Sequence, residues 1–457
     1  MHVYFSVQNV KGPKAYLLPE ADMSESHVAS WSDRVADARP MRAPQEAYLT
    51  EQGKSRADSA VERRSVNSAI QQASRGVTTI TASDAPLAVD ICCGLGGLSE
   101  GLRMAGFDVR LALDNSPSAA VTYQRNHPEA LVALQELTQL RKFQTYLSAV
   151  GIGPGRLSLL AGGTPCQSFS AANSRKPLGR SEHHSLVLEF ARLVAESKPS
   201  LFVLENVPRM ATSDDGGLLN EFLARVERVG YDVEVRNLWA HEFGVPQRRR
   251  RLFIVGSRIG PFEYMPPTHG PDSATGKPFI TVEDAIIGDL PAATRRGQGP
   301  SLTEYLRPPG NWYQRWCRVG ARQLSDHVWN DLGTDVLRRF ALIRQDQSWT
   351  QVQKGGLAPE DLKIRIDHRS VYRRLAPHQP SVTIVHFRKA MTIHPTEDRL
   401  ITLREAARLQ SFRDRFLFSR RNEPIRQMDQ VQQQLANAVP PLLARAVARR
   451  LKARLDA

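Results

Sequence analysis

From Leu87 onward, short apolar runs alternate with amphipathic stretches. LAVDI (87–91) is followed by a helical period through Gly106, DVRLALD (108–114) by another through Asn126, and LSLLAGG (157–163) by a long one ending near Ser197. LFVLENV (201–207) comes next. Strand-sized apolar runs separated by helical periods predict βαβ units and a mainly parallel sheet. The expected fold is therefore α/β. After RLFIVGS (251–257) the pattern breaks into a Pro/Gly-rich stretch bearing arginine and tryptophan, from about 261 to 380, where a second domain is predicted to begin. The final segment, QQQLANAVPPLLARAVARRLKARL, reads as a turn and then a basic amphipathic helix with Pro440 and Pro441 near its first turn. Residues 1–84 carry no sustained period beyond a short apolar start, and their acidic and basic residues nearly cancel. They read as an N-terminal extension whose composition permits disorder.

At 457 residues the chain exceeds one ordinary core, so a large domain with a smaller companion is expected. Lysine plus arginine outnumber aspartate plus glutamate by 61 to 47, giving +14, which suits a polyanionic partner such as nucleic acid. Four cysteines, at 92, 93, 166 and 317, form no Cys-x-x-Cys pair and no cluster at zinc-ligand spacing. Free thiols and no metal are expected. Apolar runs too short to span a bilayer, and an N-terminus without a secretory pattern, predict a cytoplasmic protein with no membrane partner.

The run Asp90-Ile-Cys-Cys-Gly94-Leu-Gly96-Gly97 follows the first strand and opens a helix, where glycines let backbone amides approach a ligand. A dinucleotide fingerprint would need glycine at 99, and Ser99 stands there, which disfavours a nicotinamide or flavin. An S-adenosyl cofactor fits better. Asp114 ends the second strand about twenty residues on, where a carboxylate can accept both ribose hydroxyls. Glu136, after the short LVAL run, is placed to reach an adenine amine.

The strand LSLLAGG runs into Thr164-Pro165-Cys166-Gln-Ser-Phe-Ser, setting a cysteine at the carboxyl end of a parallel strand, where such sheets build their sites. The next strand ends in Glu205-Asn206-Val207, so a carboxyl group is expected at the same sheet edge. Burial there should raise its pKa and keep it protonated, ready to donate.

The ordered set DICCGLGG, TPCQSFS, ENV, QRRRR and LANAVPP resembles the cytosine-5 DNA methyltransferase family of the bacterial restriction-modification type, over nearly all the chain after residue 85. That resemblance implies a Rossmann-like methyltransferase fold that uses S-adenosylmethionine. It divides the chain into a catalytic domain at 85–260, completed by 430–457, and a target-recognition and supporting region at 261–429. It implies further that Cys166 attacks C6 of a flipped cytosine while Glu205 protonates or hydrogen-bonds N3. The family pattern Gln-x-Arg-x-Arg falls on Gln247, Arg249 and Arg251, whose arginines would serve the cytosine pocket. Arg248 and Arg250 point elsewhere, as phosphate contacts or plain surface. Thr402–Phe412 resembles the family's supporting helix, and Asn437 and Val439 match a last motif that borders the cofactor pocket.

Three positions depart from the family pattern. Cys92 replaces an aromatic residue that faces the adenine, Ala436 replaces a glycine, and Thr164 replaces a second proline. The expected partner is double-stranded DNA, methylated by a monomer that a separately acting restriction endonuclease can accompany. The alternatives are an RNA cytosine-5 methyltransferase, against which the long recognition segment argues, and a catalytically dead DNA-binding protein.

Overall fold

The computed structural model describes residues 4–9, 12–17, 84–165, 182–295, 302–364, 372–418 and 425–457. Cys166, the rest of its motif and most of the N-terminal extension lie outside the described residues. The apolar start of that extension forms an antiparallel hairpin, β1 (Tyr4–Asn9) with β2 (Gly12–Leu17).

The centre is a seven-stranded sheet. Its strands are β3 (Leu87–Ile91), β4 (Asp108–Asp114), β5 (Leu131–Leu134), β6 (Leu159–Gly163), β7 (Leu201–Asn206), β8 (Asp232–Trp239) and β9 (Arg250–Ser257). They lie in the order β5-β4-β3-β6-β7-β9-β8, parallel except that β9 runs antiparallel to both its neighbours. The chain leaves β3 toward β4 and β5, then returns to the other side of β3 with β6. That reversal opens a crevice at the carboxyl ends of β3 and β6, where doubly wound sheets bind ligands.

Alternation along the strands sends side chains to two cores. On one face Ile91, Leu160, Phe202 and Ile254 pack under α4 (Glu182–Ser197) and α5 (Gly217–Glu227), with the ring of Phe202 edge-on to Phe190 and Phe222. Of the earlier helices, α3 (Phe143–Ala149) adds to this layer, α2 (Pro117–Asn126) packs in a smaller cluster with β4 and β5, and α1 (Gly97–Met104) lies on the opposite face. On the other face Ala88, Leu159, Val203 and Phe253 meet α1 and the terminal helix α8 (Pro441–Leu455), which follows α6 (Leu403–Leu409) and α7 (Ile425–Asn437). A side chain at Gly101 would bring its Cβ 2.3 Å from Ala444 Cβ, so α1 and α8 need glycine to lie this close.

The region 261–429 divides between two cores. Phe262, Val282, Tyr313 and Phe412 join the core of the sheet, whereas Phe340, Trp349, Val352, Tyr372 and Ile393 form a separate small one. The prolines and glycines after 261 interrupt periodicity without ending contact with the sheet. Fully buried Arg408 shows how firmly the first part is held, bridging Asp289 and Asp414 at 2.7 Å each. Strand β8 has no apolar run to announce it, because this edge strand is largely exposed and alternates polar residues. Among the described residues no helix is long and apolar enough to cross a membrane.

Candidate active site

The loop after β3 coils through left-handed backbone, with φ of 55° at Cys92, 53° at Gly94 and 93° at Gly96. Its glycines do different things. A Cβ at Gly96 would lie 2.9 Å from the rings of His127 and Tyr123, and one at Gly97 would lie 2.3 Å from the Val439 carbonyl oxygen. At Gly94 a Cβ would enter open space, so a ligand can lie directly against its Cα. Asp114 sits where it was expected, at the end of β4, and also holds the loop. Its carboxylate accepts the Gly94 amide at 2.8 Å and the Ser116 amide at 2.8 Å. Burial raises its pKa, and those amides oppose the shift. Glu136 accepts from Asn115 Nδ2 at 2.9 Å and is half-buried beside the same crevice.

Asp90 lies deeper than the glycines that follow it. It has no exposed surface, and its carboxylate accepts the Ser99 hydroxyl at 2.6 Å, which in turn accepts from Tyr123 at 2.7 Å. Its placement one residue before the end of β3 turns it inward, where it braces the loop through Ser99. The Cys92 thiol is pushed well above the usual range by burial, then by the charges of Asp114, Asp90 and Glu136.

The chemical edge lies one strand away. β6 and β7 pair Gly163 with Glu205, and a Cβ at Gly163 would lie 3.6 Å from Glu205 Oε2 and 3.9 Å from the Cys92 carbonyl oxygen. The two halves of the site thus meet across a residue without a side chain. Glu205 is 6% exposed, and burial raises its pKa against the pull of Arg251 and Arg249. Arg251 Nε lies 2.9 Å from Glu205 Oε1, an ion-pair contact without hydrogen-bond alignment. Beyond Glu205, Asn206 Nδ2 donates to the Thr164 hydroxyl at 3.0 Å and to its carbonyl at 3.2 Å. Thr164, one of the departures from the family pattern, is thus tied to Asn206, and this bond holds the segment that leads to Cys166.

The two motif arginines are not equivalent. Arg249 has no exposed surface, and its guanidinium donates to the carbonyls of Ala436 at 2.6 Å, Ala438 at 3.2 Å and Ile384 at 3.4 Å. These contacts tie the approach to β9 to the last motif. Buried Gln247 and Gln410 complete this knot. Gln247 Nε2 donates to Gln410 Oε1 at 2.5 Å, and Gln410 Nε2 donates to Leu435 and Ala438 carbonyls at 2.8 and 3.0 Å. The supporting helix α6 is accordingly scaffold. Asn437 is exposed and accepts from Gln433 of its own helix at 3.0 Å, whereas Val439 supplies the carbonyl against Gly97. Ala436 lies within α7 and has no positive φ, so no glycine is needed there. Gln434, which no motif marked, donates to the Ser116 hydroxyl at 3.3 Å and brings α7 to the cofactor side.

Comparison with known proteins identifies the family. The family described as C-5 cytosine-specific DNA methylase matches residues 88–453. The chain is 32% identical over 439 residues to the Type II methyltransferase M.AgeI of Thalassovita gelatinovora, covering 80% of this chain and 98% of the relative. It is 30% identical over 377 residues to M.DdeI of Desulfomicrobium norvegicum, covering 79% and 88%. Among solved structures, a protein described as a prophage-encoded DNA modification methyltransferase (E. coli) superposes with a TM-score of 0.65 at 24% identity. That match covers 82% of this chain and 100% of the other, and at this identity it speaks for the fold.

Proposed function

Since the chain belongs to the C-5 cytosine-specific DNA methylase family and is a DNA (cytosine-5)-methyltransferase, we propose that Cys166 is its nucleophile, Glu205 its proton donor and Arg251 the group that orients the donor. S-adenosylmethionine is the cofactor we assign to the crevice between β3 and β6. The residues there fit it: open space at the Gly94 Cα, carboxylates at Asp114 and Glu136 suited to ribose hydroxyls and an exocyclic amine, and Val439 at the border. When bound, it supplies the methyl group that C5 of the cytosine accepts. The chain's own residues do the rest. The Cys166 thiolate adds to C6 while Glu205 gives a proton to N3, so that the electron pair reaches C5. Loss of the C5 proton then lets the C6–sulfur bond break, the sulfur leaving as thiolate, and return of the N3 proton to Glu205 restores the neutral aromatic ring. The remaining thiols suit this assignment, because burial pushes those of Cys92, Cys93 and Cys317 up and keeps them protonated.

Double-stranded DNA is the substrate, and the base must leave the helix to meet the thiol. The named relatives are Type II methyltransferases, which supports a cytoplasmic monomer working beside a separately acting restriction endonuclease. The observation that carries the catalytic reading is the buried Glu205 carboxyl, paired with Arg251, on the strand beside the one that leads to Cys166.

The experiment is covalent trapping. DNA carrying 5-fluorocytosine at the target should become attached to Cys166 once S-adenosylmethionine is supplied, since the fluorine cannot leave as a proton does. The adduct should survive denaturing electrophoresis, vanish in Cys166→Ala and persist in Cys92→Ala, Cys93→Ala and Cys317→Ala. Active enzyme that forms no adduct, or forms it through another cysteine, overturns the assignment.

A further inference from the structure

The four consecutive arginines divide by burial and by partner. Arg249 is buried against backbone carbonyls and Arg251 pairs with Glu205, while Arg248 and Arg250 are exposed. Among the described residues neither exposed arginine pairs with a carboxylate. Arg248 donates to the neutral Gln379 Oε1 at 2.6 Å, and the Arg250 guanidinium lies 5.5 Å over the ring of Trp239. Trp239 is 37% exposed, unusually open for this side chain, and faces Arg250 across the β8–β9 pair. Its ring is braced from behind by His241 at 5.5 Å, which packs on Phe279 at 4.8 Å. Two uncompensated cations, one and three residues before Arg251, and an aromatic shelf on the neighbouring strand therefore stand at the sheet edge where the reacting base must arrive.

We propose that Trp239, Arg248 and Arg250 form a phosphate-binding ledge for the DNA backbone beside the flipped cytosine. The geometry suits phosphate better than a base edge. Stacking on the indole fixes the plane of the Arg250 guanidinium while leaving its donors outward, an arrangement that matches phosphate oxygens. The Gln379 bond does the same for Arg248. Contacts of this kind set register on the duplex without reading sequence. The proposal takes the identity of the polyanion from the DNA-methylating reading and is otherwise independent of it.

The test is equilibrium binding of a duplex oligonucleotide by anisotropy, titrated across salt concentrations, with unchanged melting temperature as the control for folding. Arg248→Ala and Arg250→Ala should each weaken binding severalfold and reduce the slope of log affinity against log salt by about 0.9, the value for one lost phosphate contact. Trp239→Ala should weaken binding, and Trp239→Phe should restore most of it. Arg156→Ala, which removes an exposed arginine at the amino end of β6, should leave the slope as it is. Wild-type slopes in the ledge variants, or an equal loss in Arg156→Ala, overturn the ledge. A wild-type chain that binds through the ledge but leaves DNA unmethylated overturns the catalytic reading and keeps the ledge. A chain that binds no DNA overturns both.

Discussion

Asn206 Nδ2 donates to the Thr164 hydroxyl at 3.0 Å, joining the end of β7 to the segment after β6 two residues before Cys166. Asn206 Oδ1 is meanwhile occupied by the Val207 amide at 2.8 Å, which fixes the side-chain orientation. The residue next to the proton donor thus positions the approach to the nucleophile. Thr164→Val keeps shape but removes the acceptor, and a lost buried hydrogen bond costs about 1 kcal/mol. Single-turnover methyl transfer should slow by roughly fivefold to tenfold, with Thr164→Ser close to wild type. Equal rates in all three proteins would reduce the bond to packing.

Arg249 and Arg251 should separate stability from chemistry. Arg249→Ala orphans the buried Ala436 carbonyl, at a cost of about 1–3 kcal/mol, and removes one of two donors from Ala438, which keeps Gln410, so urea unfolding should show a loss of about 2 kcal/mol or more. Arg251→Ala should cost little stability but alter the pH profile. Burial raises the Glu205 pKa and Arg251 restrains it, so removing Arg251 lets it rise further. A donor works in its protonated form. The limb on which activity falls with rising pH should accordingly move to higher pH. A limb that stays in place, or moves down, removes Glu205 as the titrating donor.

The sequence made the sheet legible because buried parallel strands must be apolar, and LAVDI, DVRLALD and LFVLENV have few other uses. It made the site legible because a thiol and a carboxyl at neighbouring strand ends form a chemical pair. What stayed hidden depends on contacts between distant segments. Nothing local distinguishes Arg249 from Arg251, since their different environments come from Ala436 and Ala438, nearly two hundred residues on. Asp90 likewise reads as a loop carboxylate until Ser99 and Tyr123 are folded around it. The missed β8 is an edge strand that needs no apolar face of its own.

Gly94 and Gly97 should fail in opposite ways when changed to alanine. At Gly97 the new Cβ meets the Val439 carbonyl oxygen at 2.3 Å, which pushes α8 from α1, so thermal stability should fall sharply. At Gly94 there is open space and only the cost of a positive φ, about 1 kcal/mol. Gly94→Ala should fold yet bind S-adenosylmethionine at least tenfold more weakly by calorimetry, because the methyl occupies the place assigned to the ligand. Unchanged binding would move the cofactor away from this loop.

Asp90 should make stability depend on pH. Its pKa is raised to about 7 by burial, against the bond from Ser99, and its Oδ1 has no hydrogen-bond partner. The unfolded chain releases this proton near pH 4. Between those values the folded state binds the extra proton, so the contribution is fully present below about pH 4 and is lost as pH rises through 7. Three pKa units correspond to at most about 4 kcal/mol. Other buried carboxylates slope the opposite way, Glu405 and Asp414 being held below the usual range by Arg399 and Arg408 in spite of burial. The Asp90 contribution is therefore best read as a difference. Asp90→Asn keeps an acceptor for the Ser99 hydroxyl but cannot ionise. Its urea midpoint should gain on that of the wild type as pH goes from 5 to 8, by an amount equivalent to a few kcal/mol. A gap that stays constant over that range would mean that Asp90 is already ionised in the folded protein, and that the Ser99–Tyr123 chain stabilises the anion.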